Sequence, residues 1–189
     1  MGSGTMSTEE REELRRAAAM VRPIARAAAV GRRNGTSLLV FGVLGGILGL
    51  PGLDPTSLAV AALLIATGSI ELRTSRRLAC ADPAAPWILA RNELVLMAGI
   101  VVFCVLELTV LREDPEELAS RLGGTAALGI DVSALASSMN TLIYSTSIAV
   151  TLLYQGGMAR YFLRRRVRIE AYLRECPEWA RQVVGEPRD

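Results

Sequence analysis

One stripe of polar side chains on a long apolar helix limits what this chain can fold into more than any other feature. Between Ser133 and Tyr161, residues that are mostly hydroxylic, amide or aromatic recur in alternating steps of four and three, which places them on one side of an α-helix. Aliphatic residues cover the rest of its circumference. In water such a helix would expose its apolar surface, whereas in a bilayer the stripe turns toward other helices or trapped water. This stripe, the polar seam, consists of Ser133, Ser137, Asn140, Tyr144, Ser147, Thr151, Tyr154, Met158 and Tyr161.

Composition agrees with a membrane setting and removes several classes of function. Hydrophobic residues make up 51% of the 189 residues, which is high for a soluble domain. Histidine is absent and every basic residue is arginine, so no histidine triad, imidazole metal site, lysine Schiff base or phosphate-binding loop can form. Cys80, Cys104 and Cys176 have no metal-binding or redox spacing. We therefore expect a protein that is not an enzyme and that holds no cofactor or metal.

The order of apolar stretches predicts an all-α, polytopic membrane protein with four transmembrane helices arranged as two hairpins. A transmembrane helix needs about 20 apolar residues and tolerates about 17. The predicted spans are about 36–53, 55–72, 87–111 and 133–163, within a membrane domain of residues 35–165. A tight turn at Pro51–Pro55 joins the first two spans, which carry small residues that permit close approach. These small residues are Gly42, Gly45, Gly46 and Gly49 on the first span and Ala59, Ala62, Ala66 and Gly68 on the second.

Helical segments flank this domain at both ends. We take residues 1–5 to be an expression leader, with Met6 the expected native start. Residues 6–34 are predicted to form an amphipathic cytoplasmic helix that begins with a capping box at Ser7 and Glu10. This helix could lie on anionic lipid headgroups through Arg15, Arg22, Arg26 and Arg33, or it could pack on the cytosolic face of the bundle. The fourth helix should continue into the cytoplasm to about Glu175, before Pro177, and residues 166–189 should form the C-terminal helices.

The distribution of arginine predicts orientation. With the N-terminus in the cytoplasm, all of the 21 basic residues except Arg112 and Arg121 lie on the cytoplasmic side. The outer loop around Arg112 is acidic. The positive-inside rule then predicts four spans with both termini in the cytoplasm, and we expect a bacterial inner membrane as the location.

Polar residues near the cytoplasmic ends of the spans are predicted to form one layer. An ionisable group in a span costs about 3 kcal/mol on insertion scales, so each such group is a candidate for function. Arg73 or Arg91 could neutralise Glu71 and Glu93, and Asn92 could hydrogen-bond to Gln155 between helices. The layer could lock the bundle or take part in transport. Its members are Glu71, Asn92, Glu93 and Gln155.

Glu107 stands apart from this layer, near the outer end of the third span. It could attract cations at an outer vestibule, helped by the acidic cluster that follows it, or it could extend toward the headgroups.

Two functions remain open from the sequence. One is a homo-oligomeric channel with cation preference, lined by Asn140, Tyr144, Ser147, Thr151 and Tyr154, because one four-span subunit has too little wall to enclose an aqueous path. The other is a non-conducting interaction or scaffold protein whose seam locks a four-helix bundle. The expected partners are the bilayer, anionic headgroups and further copies of the chain, and not nucleic acid.

Overall fold

The computed structural model describes residues 6–51, 55–110 and 132–185, and all secondary structure in these residues is helical. They form five helices: α1 (Thr8–Gly49), α2 (Pro55–Ala79), α3 (Ala85–Thr109), α4 (Val132–Glu175) and α5 (Glu178–Gly185). The predicted all-α fold is confirmed for this part of the chain. The turn residues 52–54 and the predicted outer loop with Arg112 and Arg121 lie outside the described residues.

Two helices, α2 and α3, are long and apolar enough to cross a membrane. Each contains 25 residues, or roughly 37 Å at about 1.5 Å per residue, against a hydrocarbon core of about 30 Å. Helix α1 packs most extensively on α2, and α4 packs most extensively on α3, with α2 and α3 in contact between these two pairs.

Helix α1 is continuous through the junction where we predicted an amphipathic helix to end and a span to begin. Its capping box is confirmed, since the Ser7 backbone N–H donates to Glu10 at 2.7 Å and Glu10 N–H donates to Ser7 Oγ at 3.2 Å. The helix contains Pro23 and runs unbroken for 42 residues. Its residues Ala17, Ile24, Ala27 and Ala28 are buried in the core of the bundle. The structure thus favours the second alternative, in which residues 6–34 pack on the bundle.

The arginine-rich half of the bundle has a compact apolar core. Ile24 from α1, Leu78 from α2 and Leu89 from α3 are fully buried there against Phe162 and Ile169 of α4. Helix α5 closes this end by contacting α1. The remaining core members are Ala17, Ala27, Ala28, Ala81, Ala85, Ala90, Ala159, Tyr172, Cys176 and Ala180.

The other half exposes its large apolar side chains. Leu48 on α1 and Leu153 on α4 are each 79% exposed, and Val102 on α3 is 57% exposed. Exposed apolar surface that extends over several helices marks a membrane or protein contact. We call this half the apolar belt, and its larger members are Val40, Phe41, Leu44, Ile47, Leu48, Leu50, Val95, Val102, Val105, Val110, Leu142, Ile143, Val150 and Leu153.

Helices α1 and α2 lie in close contact where two glycines face each other. A Cβ on Gly35 would lie 3.0 Å from the carbonyl oxygen of Gly68, and one on Gly68 would lie 2.8 Å from that of Gly35. Gly42 also packs against α2, whereas a Cβ on Gly45 would meet no described atom within 4 Å. On α2, the small residues that meet α1 are Ala61 and Gly68. Of the predicted small face, Gly68 is therefore in contact, whereas Ala59, Ala62 and Ala66 are exposed.

Candidate functional site

Three helices bring Asn34, Glu71 and Glu93 together in the interior of the bundle. The Asn34 amide Nδ2 of α1 donates to both carboxylate oxygens of Glu71 on α2, each at 3.0 Å. The same nitrogen lies 3.3 Å from Oε1 of Glu93 on α3. One amide group therefore bridges two carboxyl groups from separate helices. We call these three residues the acidic layer.

Both carboxyl groups of the acidic layer are buried. Glu71 is 0% exposed and Glu93 is 1% exposed. Oε2 of Glu93 is buried and has no hydrogen-bond partner among the described residues. The expected counter-ions, Arg73 and Arg91, are exposed, and no ion pair joins either of them to a carboxylate of the layer within the described chain. Glu71 and Glu93 therefore have no positively charged partner in the part of the protein that the structure describes.

The length of the arginine side chain explains why Arg73 and Arg91 do not pair with Glu71 and Glu93 as predicted. An arginine near the end of a span extends its guanidinium toward water or headgroups and keeps its methylene groups along the helix. Arg73 and Arg91 are each two positions from a carboxylate, so both would have to fold inward against their own helix to reach it. Asn34 has a short side chain and lies on the facing helix, and it occupies that position instead.

Helix α4 joins the layer through Tyr154, whose hydroxyl donates to Asn34 Oδ1 at 3.3 Å. The adjacent Gln155 is buried, and its Oε1 has no partner among the described residues. Asn92 does not bond to Gln155 as predicted, because its Nδ2 donates to the backbone carbonyl of Thr67 at 3.0 Å. All four long helices thus contribute a polar residue at this depth.

Carboxylate, amide and phenol oxygens are the ligands that protons and hard cations prefer. No group of three or more histidine, cysteine, aspartate or glutamate residues that could hold a metal ion occurs among the described residues. The oxygen groups of the layer are of the kind that suits a proton or a hard cation.

The polar seam faces α3. Asn140, Tyr144, Ser147 and Thr151 are all half-buried, and the ring of Tyr144 meets that of Phe103 on α3 edge-on, with ring centres 6.2 Å apart. Ser133 lies in α4, but its side chain is outside the described set. The opposite side of α4 is exposed and apolar at Leu142, Leu152 and Leu153. Each seam residue described here thus lies on the side of α4 that meets the bundle.

Glu107 is not brought to the acidic layer. It is half-buried on α3, 14 residues after Glu93, or roughly 21 Å along the helix axis. It has no hydrogen bond or ion pair with any described residue. The four arginines predicted to contact headgroups, Arg15, Arg22, Arg26 and Arg33, are all exposed on α1.

An exposed arginine follows the acidic layer on each long helix, toward the arginine-rich half of the bundle. These are Arg33 on α1, Arg73 on α2, Arg91 on α3 and Arg160 on α4. The first three are one or two positions from a layer residue, and Arg160 is six positions after Tyr154. The layer therefore lies close to where the charged half of the bundle meets the apolar belt.

Asn34 was missed from the sequence because it follows Arg33 and precedes the predicted start of the first span. Its position along the predicted helix could have identified it, since the two-hairpin arrangement puts residue 34 at the same depth in the membrane as Glu71 and Glu93. No protein-family model, curated protein or solved structure matches this chain. The functional conclusion therefore depends on the geometry of the layer.

Proposed function

We propose that this chain is a four-span protein of the bacterial inner membrane with cytoplasmic termini, and that copies of it assemble into a cation-conducting channel. The acidic layer is its cation site. Glu71 and Glu93 bind a proton or small cation there, Asn34 holds the two carboxyl groups in place, and Tyr154 holds Asn34.

Two observations support crossing by α1 and α4 as well as by α2 and α3. The first is that Leu48 and Leu153 belong to the same apolar belt as the exposed residues of α3. The second is that an exposed arginine lies within about 9 Å below the acidic layer on all four helices, which marks a common level. Because arginine prefers the cytoplasmic side, this level is the cytoplasmic boundary of the membrane.

The unpaired carboxyl groups carry the cation proposal. Neutral amides or hydroxyls are enough to hold helices together by hydrogen bonds. Inserting a charged group into the membrane costs about 3 kcal/mol, and inserting a neutral polar group costs less. Here two carboxyl groups share one amide, and Oε2 of Glu93 is buried with no described partner. A proton or cation would satisfy that oxygen and neutralise the pair.

Assembly is supported by a second row of hydroxyl residues on α4. Ser138, Thr141 and Ser145 are exposed on the outer half of the helix, away from the side that meets α3. Small hydroxylic residues at a span surface favour helix association. In an oligomer this row would meet a second copy or line a shared path, and the seam would lie next to it.

The alternative is a non-conducting scaffold, and one observation favours it. The seam residues Tyr144, Ser147 and Thr151 are half-buried on the side of α4 that meets α3. A seam in that position strengthens the bundle without any contact with water.

Flux into proteoliposomes separates these functions. With a proton or monovalent cation gradient across the bilayer, Glu93→Gln and Glu71→Gln should each reduce flux at least tenfold, because the amide carries no charge for a cation to neutralise. Glu107→Gln is the matched control, as it removes an acidic group from α3 outside the layer. Loss of flux in Thr151→Leu and Glu107→Gln with normal flux in the layer variants would favour a path along the seam. Absence of flux in the wild type would favour the scaffold.

A further inference from the structure

A groove lined by arginine lies on α4 immediately below the apolar belt. It has a volume of about 250 Å³ and is lined by Gly157, Arg160, Tyr161, Arg164, Arg165 and Arg168. The Arg165 guanidinium is held 4.4 Å from the centre of the Tyr161 ring, which fixes one wall of the groove. We call it the arginine groove.

The arginine groove has an excess of positive charge. Arg166, which lies outside it, pairs with Glu170 at 2.8 Å. None of the four groove arginines forms an ion pair or hydrogen bond with a described residue, and Nε of Arg165 is buried without an acceptor. Guanidinium groups arranged in this way match the oxygens of a phosphate.

Gly157 leaves the membrane end of the groove open. A glycine within a helix costs about 1 kcal/mol relative to alanine. A Cβ at Gly157 would meet no described atom within 4 Å, so packing within the described chain does not require a glycine. The missing side chain instead leaves room for a ligand that enters the groove from the apolar belt.

The same face of α4 changes from apolar to basic along one line. Ala149, Leu153, Gly157, Arg160, Arg164 and Arg168 follow each other at helical spacing, and all six are exposed. Leu153 is roughly 10 Å above Arg160 along the helix axis. A molecule with a phosphate group and an acyl chain would match both parts of this line.

We propose that the arginine groove binds the phosphate of an anionic phospholipid whose acyl chain lies along Leu153 and Ala149. Arg160, Arg164 and Arg168 contact the headgroup, and Arg165 stays stacked on Tyr161. The inference rests on the proposed crossing by α4 and is independent of cation conduction.

Native mass spectrometry of the full chain, titrated with phosphatidylglycerol in detergent, tests this site. Because each arginine near an anionic headgroup contributes about 1 kcal/mol, Arg160→Gln/Arg164→Gln should weaken binding roughly tenfold or more. Arg166→Gln/Arg174→Gln is the control with the same loss of charge on the same helix outside the groove, and its affinity should stay within about twofold of the wild type. Gly157→Leu keeps every charge and should also weaken binding.

Three outcomes would overturn the proposal. The first is equal weakening in the groove and control variants, which would show attraction to surface charge alone. The second is equal affinity for phosphatidylcholine, whose headgroup has no net charge. The third is equal binding of deacylated glycerophosphoglycerol, which would show a phosphate site that makes no use of an acyl chain. None of these measurements depends on flux, so failure here leaves the cation proposal intact.

Discussion

Replacing Gly68 with alanine should weaken the bundle at the close contact of α1 and α2. The added Cβ would lie 2.8 Å from the Gly35 carbonyl oxygen and 3.0 Å from the backbone nitrogen of Leu39. Backbone atoms in a helix cannot rotate away, so the two helices have to separate. Overpacking of this kind costs about 1 to 3 kcal/mol, and the better helix propensity of alanine offsets at most about 1 kcal/mol.

Moving α1 away from α2 in Gly68→Ala would also weaken hydrogen bonds in the acidic layer. Asn34 precedes Gly35, and Glu71 is three residues from Gly68, so the hydrogen bonds of 3.0 Å between Asn34 and Glu71 would lengthen. Interhelical hydrogen bonds in membranes average about 0.6 kcal/mol each. The expected net loss for Gly68→Ala is about 1 to 3 kcal/mol.

Gly45→Ala is the matched control, because its Cβ would meet no described atom within 4 Å. It should stabilise the protein by up to about 1 kcal/mol through helix propensity alone. Unfolding in mixed micelles of increasing dodecyl sulfate content, followed by tryptophan fluorescence, measures both variants. A Gly68→Ala protein as stable as Gly45→Ala would refute the crossing geometry.

Three further predictions concern the arginine-rich half. Backbone hydrogen bonding from Ala84, with help from Arg77, lowers the pKa of Asp82. The ionised Asp82 stabilises the folded protein above about pH 4, and this stabilisation is lost as the pH falls through its lowered pKa. The melting temperature of Asp82→Asn should therefore fall less at acidic pH than that of the wild type. Ala81 has φ of 56°, a left-handed conformation that costs roughly 1 to 2 kcal/mol, so Ala81→Gly should keep or raise the melting temperature and Ala81→Val should lower it. Burial raises the pKa of the Cys176 thiol, so alkylation at pH 8 should be much slower there than at the exposed Cys80, and equal rates would contradict the packing of α5.

Helix ends were readable from the sequence because their signals are local. The capping box at Ser7 and the stop before Pro177 were predicted and are confirmed. Each depends on residues within about one turn of the helix end. The fourth helix was also predicted to begin at about residue 133 and to run to about Glu175, and α4 runs from Val132 to Glu175.

Contacts between helices were harder to predict, because they depend on the rotation and crossing of helices far apart in sequence. Depth along the span placed Glu71 and Glu93 at a common level, but it could not identify Asn34 as their shared donor. Spacing predicted a small face of Ala59, Ala62, Ala66 and Gly68 on α2, and of these Gly68 meets α1 whereas the three alanines are exposed. A small-residue pattern indicates that close approach is possible and does not specify which side is used.

Cysteine accessibility tests the proposed crossing by α4 most directly, and both the cation proposal and the lipid proposal require that crossing. The native Cys80 lies in the turn between α2 and α3 and is exposed, whereas Cys104 and Cys176 are buried. A membrane-impermeant maleimide should label Cys80 in inverted vesicles and not in right-side-out vesicles. In a Cys80→Ser background, Gln182→Cys on α5 should be labelled from that same side. Labelling of the two positions from opposite sides would mean that α4 does not cross, and it would contradict the four-span account.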